Sequence, residues 1–182
     1  MAAVKRGYQG LDSISPHVYP AIMSGNRDPI LRAARREDAA DLCAVLHDTF
    51  NSTWRPNITE TAAQAFLQEE KPAAYVDMRG LQFRVAEVAG EVVGFVDWED
   101  DFVHALHVHS AHARQGIGRR LMDHAEKHIA AAGFATARLE TDTFNHPSQA
   151  FYAARGYREV DRYPDEDWDS GLTTVLLVKA LS

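Results

Sequence analysis

Two glycines and three arginines lie close together in residues 114–120, between an apolar run and an amphipathic stretch. Glycine lets the backbone approach a ligand closely and adopt turns that other residues resist. The first N–H groups of a helix have no partner within the helix, and they lie at the positive end of its dipole. An anion bound there accepts several N–H groups at once, and arginine side chains add positive charge. The spacing therefore predicts a site for a phosphorylated ligand.

Two common kinds of phosphate site do not fit this segment. A nucleotide-binding P-loop needs a lysine and a hydroxyl residue after its second glycine, and both are missing here. A dinucleotide fingerprint needs a third glycine in a strand–helix–strand unit, whereas only Gly116 and Gly118 are present and an antiparallel run of strands is expected before them. The glycines alone do not identify the ligand, and a second segment about 30 residues later becomes informative.

Hydrophobic periodicity predicts the elements that position these residues. The helix that follows the glycines carries its apolar residues on one face and ends at Gly133, and Pro72 is expected to stop an earlier helix. The predicted strands are residues 30–34, 81–86, 92–98, 102–109, 134–141, 157–161 and 173–181, and the other predicted helices are residues 37–50, 59–70 and 147–155.

Composition and charge limit the possible functions. The chain has 182 residues, of which 46% are hydrophobic and 25% charged, as in an ordinary globular domain. Its net charge of −7 argues against general nucleic-acid binding. No run approaches the roughly 18 apolar residues of a membrane helix. The single Cys43 excludes an internal disulfide and a multi-cysteine metal site, so we expect a cytoplasmic protein without a membrane partner.

The first 28 residues differ from the rest of the chain. Prolines and glycines punctuate them, and no long apolar core follows Lys5 and Arg6, so we expect no export signal. We interpret residues 1–28 as an irregular extension that packs on the domain or serves as the arm of a homodimer. Residues 29–182 are expected to form one domain.

The glycine segment and residues 145–157, taken together, resemble the GNAT superfamily of acetyl-CoA-dependent N-acetyltransferases. Leu106-His-Val108-His109 followed by Arg-Gln-Gly-Ile-Gly is similar to the family's pyrophosphate-binding segment. Asn145, with Phe-Tyr and Gly-Tyr after it, is similar to the family's later segment. The chain has Ala113 where the family usually has glutamine or arginine. Backbone N–H groups bind most of a phosphate, so we expect reduced side-chain contact but not loss of the site.

The resemblance implies a mixed α/β fold. Its sheet of about six to seven strands is mostly antiparallel and splayed, and about four helices flank it. Acetyl-CoA is implied as the co-substrate, with its pantetheine between splayed strands and the Val108 N–H facing the thioester oxygen. The implied acetyl-CoA-binding residues are Leu106, His107, Val108, Arg114, Gln115, Gly116, Ile117, Gly118, Arg119, Asn145, Ser148 and Tyr152.

The implied reaction is direct attack of a primary amine on the thioester in a ternary complex. It needs a base for the ammonium and an acid for the leaving thiolate. The resemblance makes Tyr152 that acid, and the alternative is that Tyr152 only packs beside Phe151. A non-catalytic acyl-CoA-binding or sensing domain on the same fold is the alternative function, and a scaffold with an empty cleft is a third.

Three residues compete for the role of base. The segment from His104 to His109 particularly resembles arylalkylamine N-acetyltransferases, whose histidine at the position of His104 works in a proton relay. That family's second relay histidine falls at Phe102, so the relay is incomplete here. Histidine titrates near neutral pH, which favours His104. Glu99 is the rival and His107 the third candidate, and these histidines equally fit a polar cleft lining.

The acceptor is expected to be a small cationic or aromatic amine. The resemblance assigns specificity to the first two helices and to the loop between the last two strands, which offer Phe50, Trp54 and Trp168. Acidic residues expected near the same mouth would attract a cation, or would simply be solvated. They are Asp97, Glu99, Asp100, Asp101 and the acidic run after Pro164.

No metal is expected. His124 and His128 lie one helical turn apart, but no carboxylate or cysteine completes a recognisable set of ligands. We interpret them as residues of a solvated helix face.

Overall fold

The computed structural model describes residues 28–68, 70–165 and 171–181, which form a mixed sheet covered on both faces by helices. Within these residues the sheet has seven strands in the order β1-β2-β3-β4-β5-β7-β6. The strands are β1 (Ile30–Ala33), β2 (Arg84–Val88), β3 (Glu91–Glu99), β4 (Phe102–Val108), β5 (Thr136–Asp142), β6 (Arg158–Pro164) and β7 (Thr173–Ala180), and the α-helices are α1 (Ala39–Thr49), α2 (Glu60–Gln68), α3 (Lys71–Arg79), α4 (Ile117–Ala131) and α5 (His146–Ala154).

The sheet opens in its middle. β4 and β5 run parallel and pair only through Phe102 with Arg138 and Val103 with Leu139. Beyond these residues β4 continues beside β3, and β5 continues beside β7. All other neighbouring strands pair antiparallel. The predicted mostly antiparallel, splayed sheet is therefore confirmed.

The helices bury a separate apolar layer on each face of the sheet. The predicted stripe of α4 is confirmed, since Leu121, Ala125 and Ile129 are fully buried with Val103 and Leu139. On the other face α1 and α3 pack against β2 and β3. The gap between β4 and β5 joins the two faces and provides the room for a site.

One helix was missed by the sequence analysis. Pro72 does not end the helical region but lies in the first turn of α3, where proline's missing N–H and fixed φ cost nothing. The break falls instead at Glu70, whose φ of +46° is left-handed. The predicted strand start at residue 81 is also wrong, because Gly80–Gln82 is a 3₁₀ turn and β2 begins at Arg84.

α3 is anchored to β3 through a buried carboxylate. Asp97 is fully buried and accepts hydrogen bonds from Arg79 Nε at 2.6 Å, from Arg79 Nη2 at 2.9 Å and from the Tyr75 hydroxyl at 2.6 Å. A buried carboxylate is stable only with such partners. The expectation that Asp97 lies near the mouth of the site, where it would attract a cation or be solvated, is therefore wrong.

Gly94 is required where β3 approaches β4. A Cβ at this position would lie 2.7 Å from the backbone oxygen of His107 and 3.2 Å from Val108 Cα. We expect Gly94→Ala to lower the free energy of unfolding by about 1–3 kcal/mol, because one of the two strands must shift. Urea titration measures this value. An unchanged free energy of unfolding would show that β4 tolerates displacement here.

Candidate active site

Two adjoining chambers occupy the gap between β4 and β5. The first, which we call the β5 chamber, has a volume of about 700 Å³ and is walled by α1, α3, β4 and the end of β5. The second, which we call the loop chamber, has a volume of about 870 Å³ and extends to the start of α4. Both are lined by one shared set of residues, which we call the junction: Thr49, Trp54, Leu106, His107, Asn145, Ser148 and Tyr152.

The loop chamber ends at the first N–H groups of α4. Gly116 precedes the helix with a φ of +82°, and Arg114 also has a left-handed φ of +61°. Among the residues that the structure describes, no side chain caps this helix, and its first turn contains no acidic residue. The free N–H groups and the helix dipole therefore favour an anion.

Most residues predicted to bind acetyl-CoA line this chamber. They are Leu106, His107, Val108, Arg114, Gly116, Ile117, Gly118, Arg119, Asn145, Ser148 and Tyr152. Gln115 does not, because its side-chain amide points back and donates to the Ala111 carbonyl at 3.3 Å. The short loop, its left-handed turns and the adjacent helix bring these residues together.

Asn145 begins α5 at the junction. Its side-chain oxygen accepts the Ser148 N–H at 3.2 Å and so caps the helix. Pro147 in the first turn leaves no further N–H unpaired at that position. Asn145 thus has a local structural role besides any contact with a ligand.

Tyr152 lies on α5 with its ring buried and its edge at the junction. Only 7% of the residue is exposed, and the ring packs edge-on against Phe151 and Tyr157. Burial raises the pKa of Tyr152, so the phenol stays protonated at neutral pH. Packing and a place at the cavity wall are combined here, although the sequence analysis treated them as alternatives.

A β-bulge changes which histidines share a face. On β3, Asp97 pairs with Ala105 and Trp98 with Val103, so His104 is an extra residue without a partner. Strict alternation would put His104 and His107 on opposite faces of the sheet. With the bulge, both line the β5 chamber.

His104 and Glu99 lie on the outer side of that chamber. His104 is 37% exposed, and its Nε2 is 3.9 Å from Glu99 Oε2, close enough for attraction when the ring is protonated. Glu99 is 62% exposed, lines neither chamber and also lies 3.5 Å from Arg79 Nη1. Glu99 therefore reaches the cavity only through His104.

His107 lies deeper, at the junction. Its Nδ1 is 2.8 Å from the Thr49 hydroxyl, and its ring stacks on Phe95 with 5.2 Å between centroids. The Trp54 ring is tilted against that of His107, with 5.8 Å between centroids. Burial lowers the pKa of His107 to about 4, so the ring is neutral at physiological pH.

This depressed pKa makes stability depend on pH. The unfolded chain binds a proton at His107 as the pH falls through about 6.5, whereas the folded chain does not until about pH 4. Burial likewise lowers the pKa of His124 to about 4. We therefore expect the free energy of unfolding to decrease from pH 7 to pH 4.5, with His107 contributing at most about 3 kcal/mol.

Urea titrations at pH 7.0, 6.0, 5.0 and 4.5 test this dependence. His107→Asn, which cannot titrate, is expected to lose less stability over the range than the wild type. Equal slopes for the two proteins would show that His107 takes up its proton in the folded state as readily as in the unfolded chain.

The residues predicted to contact the acceptor divide between wall and junction. Phe50 is buried, stacks on Phe66 at 3.8 Å and lines the β5 chamber. Trp54 crosses from the helical layer to β5, where its indole N–H donates to Asp142 Oδ2 at 2.9 Å. Both lie in a π-helical turn, Phe50–Trp54, that continues α1. Trp168 lies outside the described residues.

The sequence predicted only part of the acidic wall of the β5 chamber, namely Asp165 in the acidic run after Pro164, and not Glu140 or Asp142. Glu140, Asp142 and Asp165 line it. Burial, reinforced by the carboxylates of Asp165 and Glu140, raises the pKa of Asp142, although Trp54 opposes this shift. Asp101, expected at the mouth, instead pairs with Arg138 at 2.7 Å. Alternation along β5 places Glu140 and Asp142 on one face of the strand, but it does not show that this face borders the site.

Other classes of site receive no support from the described part of the chain. Residues 28–68, 70–165 and 171–181 contain no group of three or more His, Cys, Asp or Glu arranged for a metal. His124 and His128 pack against Trp98 with 5.9 Å and 5.8 Å between centroids. Within the same residues no helix is long and apolar enough to cross a membrane.

This arrangement of splayed strands, uncapped helix and glycine loop is that of a known family. The family model described as the acetyltransferase (GNAT) family matches residues 43–157, and the chain belongs to this family. The family transfers an acetyl group from acetyl-CoA, so the chain is an acyltransferase. A curated relative, blasticidin-S acetyltransferase from Streptomyces morookaense, is 35% identical over 95 residues, which are 52% of this chain and 68% of that protein.

Solved structures confirm the fold. A GCN5-related N-acetyltransferase from Rhodopseudomonas palustris has a TM-score of 0.72 at 24% identity and covers 85% of this chain and 96% of its own. The PaiA N-acetyltransferase from Thermoplasma acidophilum, solved in complex with coenzyme A, has a TM-score of 0.66 at 19% identity and covers 84% of this chain and 98% of its own.

Proposed function

We propose that this protein transfers the acetyl group of acetyl-CoA to a primary amine, and that the acceptor is a small cationic molecule. The junction gives the strongest support for this proposal. It joins a chamber that ends at free helix N–H groups to a chamber with an acidic wall. An anionic donor and a cationic acceptor would thus enter from opposite sides and meet beside Tyr152.

The donor half rests on the loop chamber. The pyrophosphate would bind to the backbone of residues 115–119 with charge from Arg114 and Arg119, which both line the chamber. The pantetheine would extend along β4 past Leu106 and Val108, toward Asn145 and Ser148. The uncapped first turn of α4 fits this role, because a helix N-terminus without a side-chain cap has N–H groups to offer.

The chemistry requires that the acceptor nitrogen lose two protons and that the leaving thiolate gain one. We assign the acid to Tyr152, which is protonated at neutral pH and lies at the junction, where the thiolate would form. We assign the first base to His104, which can deprotonate the incoming ammonium and pass the proton to solvent. Glu99, at 3.9 Å, would stabilise the protonated ring. The Val108 N–H would stabilise the oxyanion, a contribution of roughly 3 kcal/mol in comparable sites.

The acceptor half rests on the β5 chamber. Glu140, Asp142 and Asp165 would attract a positive charge, and Phe50 and Trp54 would contact its apolar part. The relative named blasticidin-S acetyltransferase supports a small-molecule acceptor. The volume of about 700 Å³ also suits a small molecule.

An acceptor screen tests this proposal. Thiol release from acetyl-CoA is measured with small amines carrying a second positive group, with neutral small monoamines and with peptides that have free N-termini. We expect the highest kcat/KM for the cationic small amines. Acetylation of peptide N-termini alone would reject the small-molecule acceptor.

A variant that lacks one negative charge of the wall is the matched comparison for the screen. Glu140→Gln keeps the shape of the exposed wall and removes one charge, so it should raise KM for cationic amines and leave neutral amines unchanged. Equal effects on both groups would argue against recognition by charge.

A further inference from the structure

We propose that His107 is a catalytic residue of the acetyl transfer. Its Nε2 accepts the N–H of the attacking amine, orients the nitrogen lone pair toward the thioester and takes up the proton that this nitrogen loses. The inference rests on the proposed function, because it needs an amine in the β5 chamber. His104 keeps its separate role as the outer base.

His107 lies where the two chambers join. Of the three candidate bases, His107 alone borders both chambers, whereas His104 lines the β5 chamber only and Glu99 lines neither. Donor and acceptor must meet where the chambers join, and a base acts on a proton within hydrogen-bond reach. His107 and Tyr152 are the two titratable residues of the junction.

The Thr49 hydroxyl determines which ring nitrogen of His107 carries the proton. It lies 3.0 Å from the Val45 carbonyl and 3.1 Å from the Leu46 carbonyl, and it lies 2.8 Å from His107 Nδ1. A threonine within a helix donates its proton to a carbonyl of the preceding turn, so its lone pair is left to accept. We therefore place the ring proton on Nδ1, which leaves the lone pair on Nε2.

Packing fixes the direction of that lone pair. The ring contacts those of Phe95 and Trp54, and Nδ1 faces the Thr49 hydroxyl of α1. In the described residues Nε2 accepts no hydrogen bond, and it is not sealed from the cavity. Burial keeps the ring neutral by lowering its pKa to about 4, and the carboxylate of Asp142, which lines the β5 chamber, accepts the indole N–H of Trp54.

The proposed steps account for every proton in the reaction. The ammonium loses its first proton to His104 and solvent, and the neutral amine attacks the thioester carbon. As the C–N bond forms, the nitrogen becomes positive and far more acidic, so even a weakly basic imidazole can take its second proton at Nε2. The C–S bond then breaks, Tyr152 protonates the thiolate, and the proton held by His107 restores the phenol. The products are an amide, free CoA and one proton in solvent.

Two substitutions at His107 separate catalysis from packing. His107→Phe keeps the stacked ring, and we expect it to lower kcat about 100-fold with the affinity for CoA nearly unchanged. His107→Gln retains an oxygen that can accept the amine N–H but cannot take its proton. We expect it to keep KM for the amine near the wild-type value while kcat remains at least about tenfold low. A purely structural role would not produce this split.

Several outcomes would overturn the inference. A His107→Phe enzyme that retains wild-type kcat removes the role. If His107→Phe fails to fold or to bind CoA, Thr49→Val decides: it keeps the shape of α1, frees the tautomer and should lower kcat about fivefold. An unchanged kcat in Thr49→Val contradicts the assignment. If the wild-type protein acetylates no amine, both the proposed function and this inference are rejected. If the wild type and His107→Phe are equally active, only the inference is rejected.

Discussion

Gly116→Glu is expected to abolish CoA binding. Gly116 precedes α4 with a φ of +82°, and a Cβ there would meet no atom within 4 Å, so the new side chain projects into open space at the helix start. Its carboxylate would compete with a phosphate for the same N–H groups and repel it. Calorimetric titration with CoA should show affinity lowered by at least about 100-fold.

Gly133→Glu is the matched control. Gly133 lies beyond the other end of α4, has a φ of +96° and likewise has no atom within 4 Å of a built Cβ. The two substitutions impose similar backbone strain and the same change in net charge, but only one of them lies at the loop chamber. Gly133→Glu should bind CoA normally. Loss of affinity in both variants would attribute the effect to folding, and retained affinity in Gly116→Glu would reject the phosphate site.

Tyr152→Phe is expected to lower turnover roughly 100-fold while CoA affinity changes little. The substitution keeps the edge-on contacts with Phe151 and Tyr157 and removes only the hydroxyl at the junction. The thiolate must then be protonated by water or by a more distant group. Steady-state kinetics with acetyl-CoA and the best amine of the screen measure the change.

Tyr157→Phe provides the comparison. Tyr157 is buried in the same aromatic cluster, 5.6 Å from Tyr152 between ring centroids, and lines neither chamber. It should retain wild-type turnover. If Tyr152→Phe turns over as fast as Tyr157→Phe, then Tyr152 packs the core and another proton donor acts.

Local features were the part of the molecule that the sequence predicted well. The glycine segment forms the turn before α4. This turn and the start of the helix are determined by residues that are adjacent in the sequence, so the sequence could predict both. The Asn145 cap, the proline after it and the short α5 are likewise local. Their combination also carried the resemblance to the GNAT superfamily, which the family match has confirmed.

Features that depend on distant partners were not predictable in the same way. From the sequence, Asp97 is predicted to be an exposed charge near other acidic residues. In the structure, Arg79 and Tyr75 of α3 donate hydrogen bonds to it, and α3 was not predicted because Pro72 was expected to end the helix. The bulge at His104 exists only in relation to the register of β3. Sequence alternation alone could not place His104 and His107 on one face.

The acidic wall shows the same limit at the level of topology. Glu140 and Asp142 end a strand that is separated from β4 by α4 in sequence but faces it across the gap. Their relation to Trp54 follows from the parallel pairing of β4 with β5, which the periodicity of either strand does not reveal. Specificity therefore depends on long-range order, whereas the donor site depends on one short segment.

The most direct test of the central claim is the rate of CoA thiol release from acetyl-CoA with and without a small cationic amine, with the acetylated amine detected by mass. We expect release that depends on the amine, saturates with it and yields one acetylated amine for each CoA formed. Tight CoA binding without amine-dependent release would contradict the claim and indicate a binding or sensing domain.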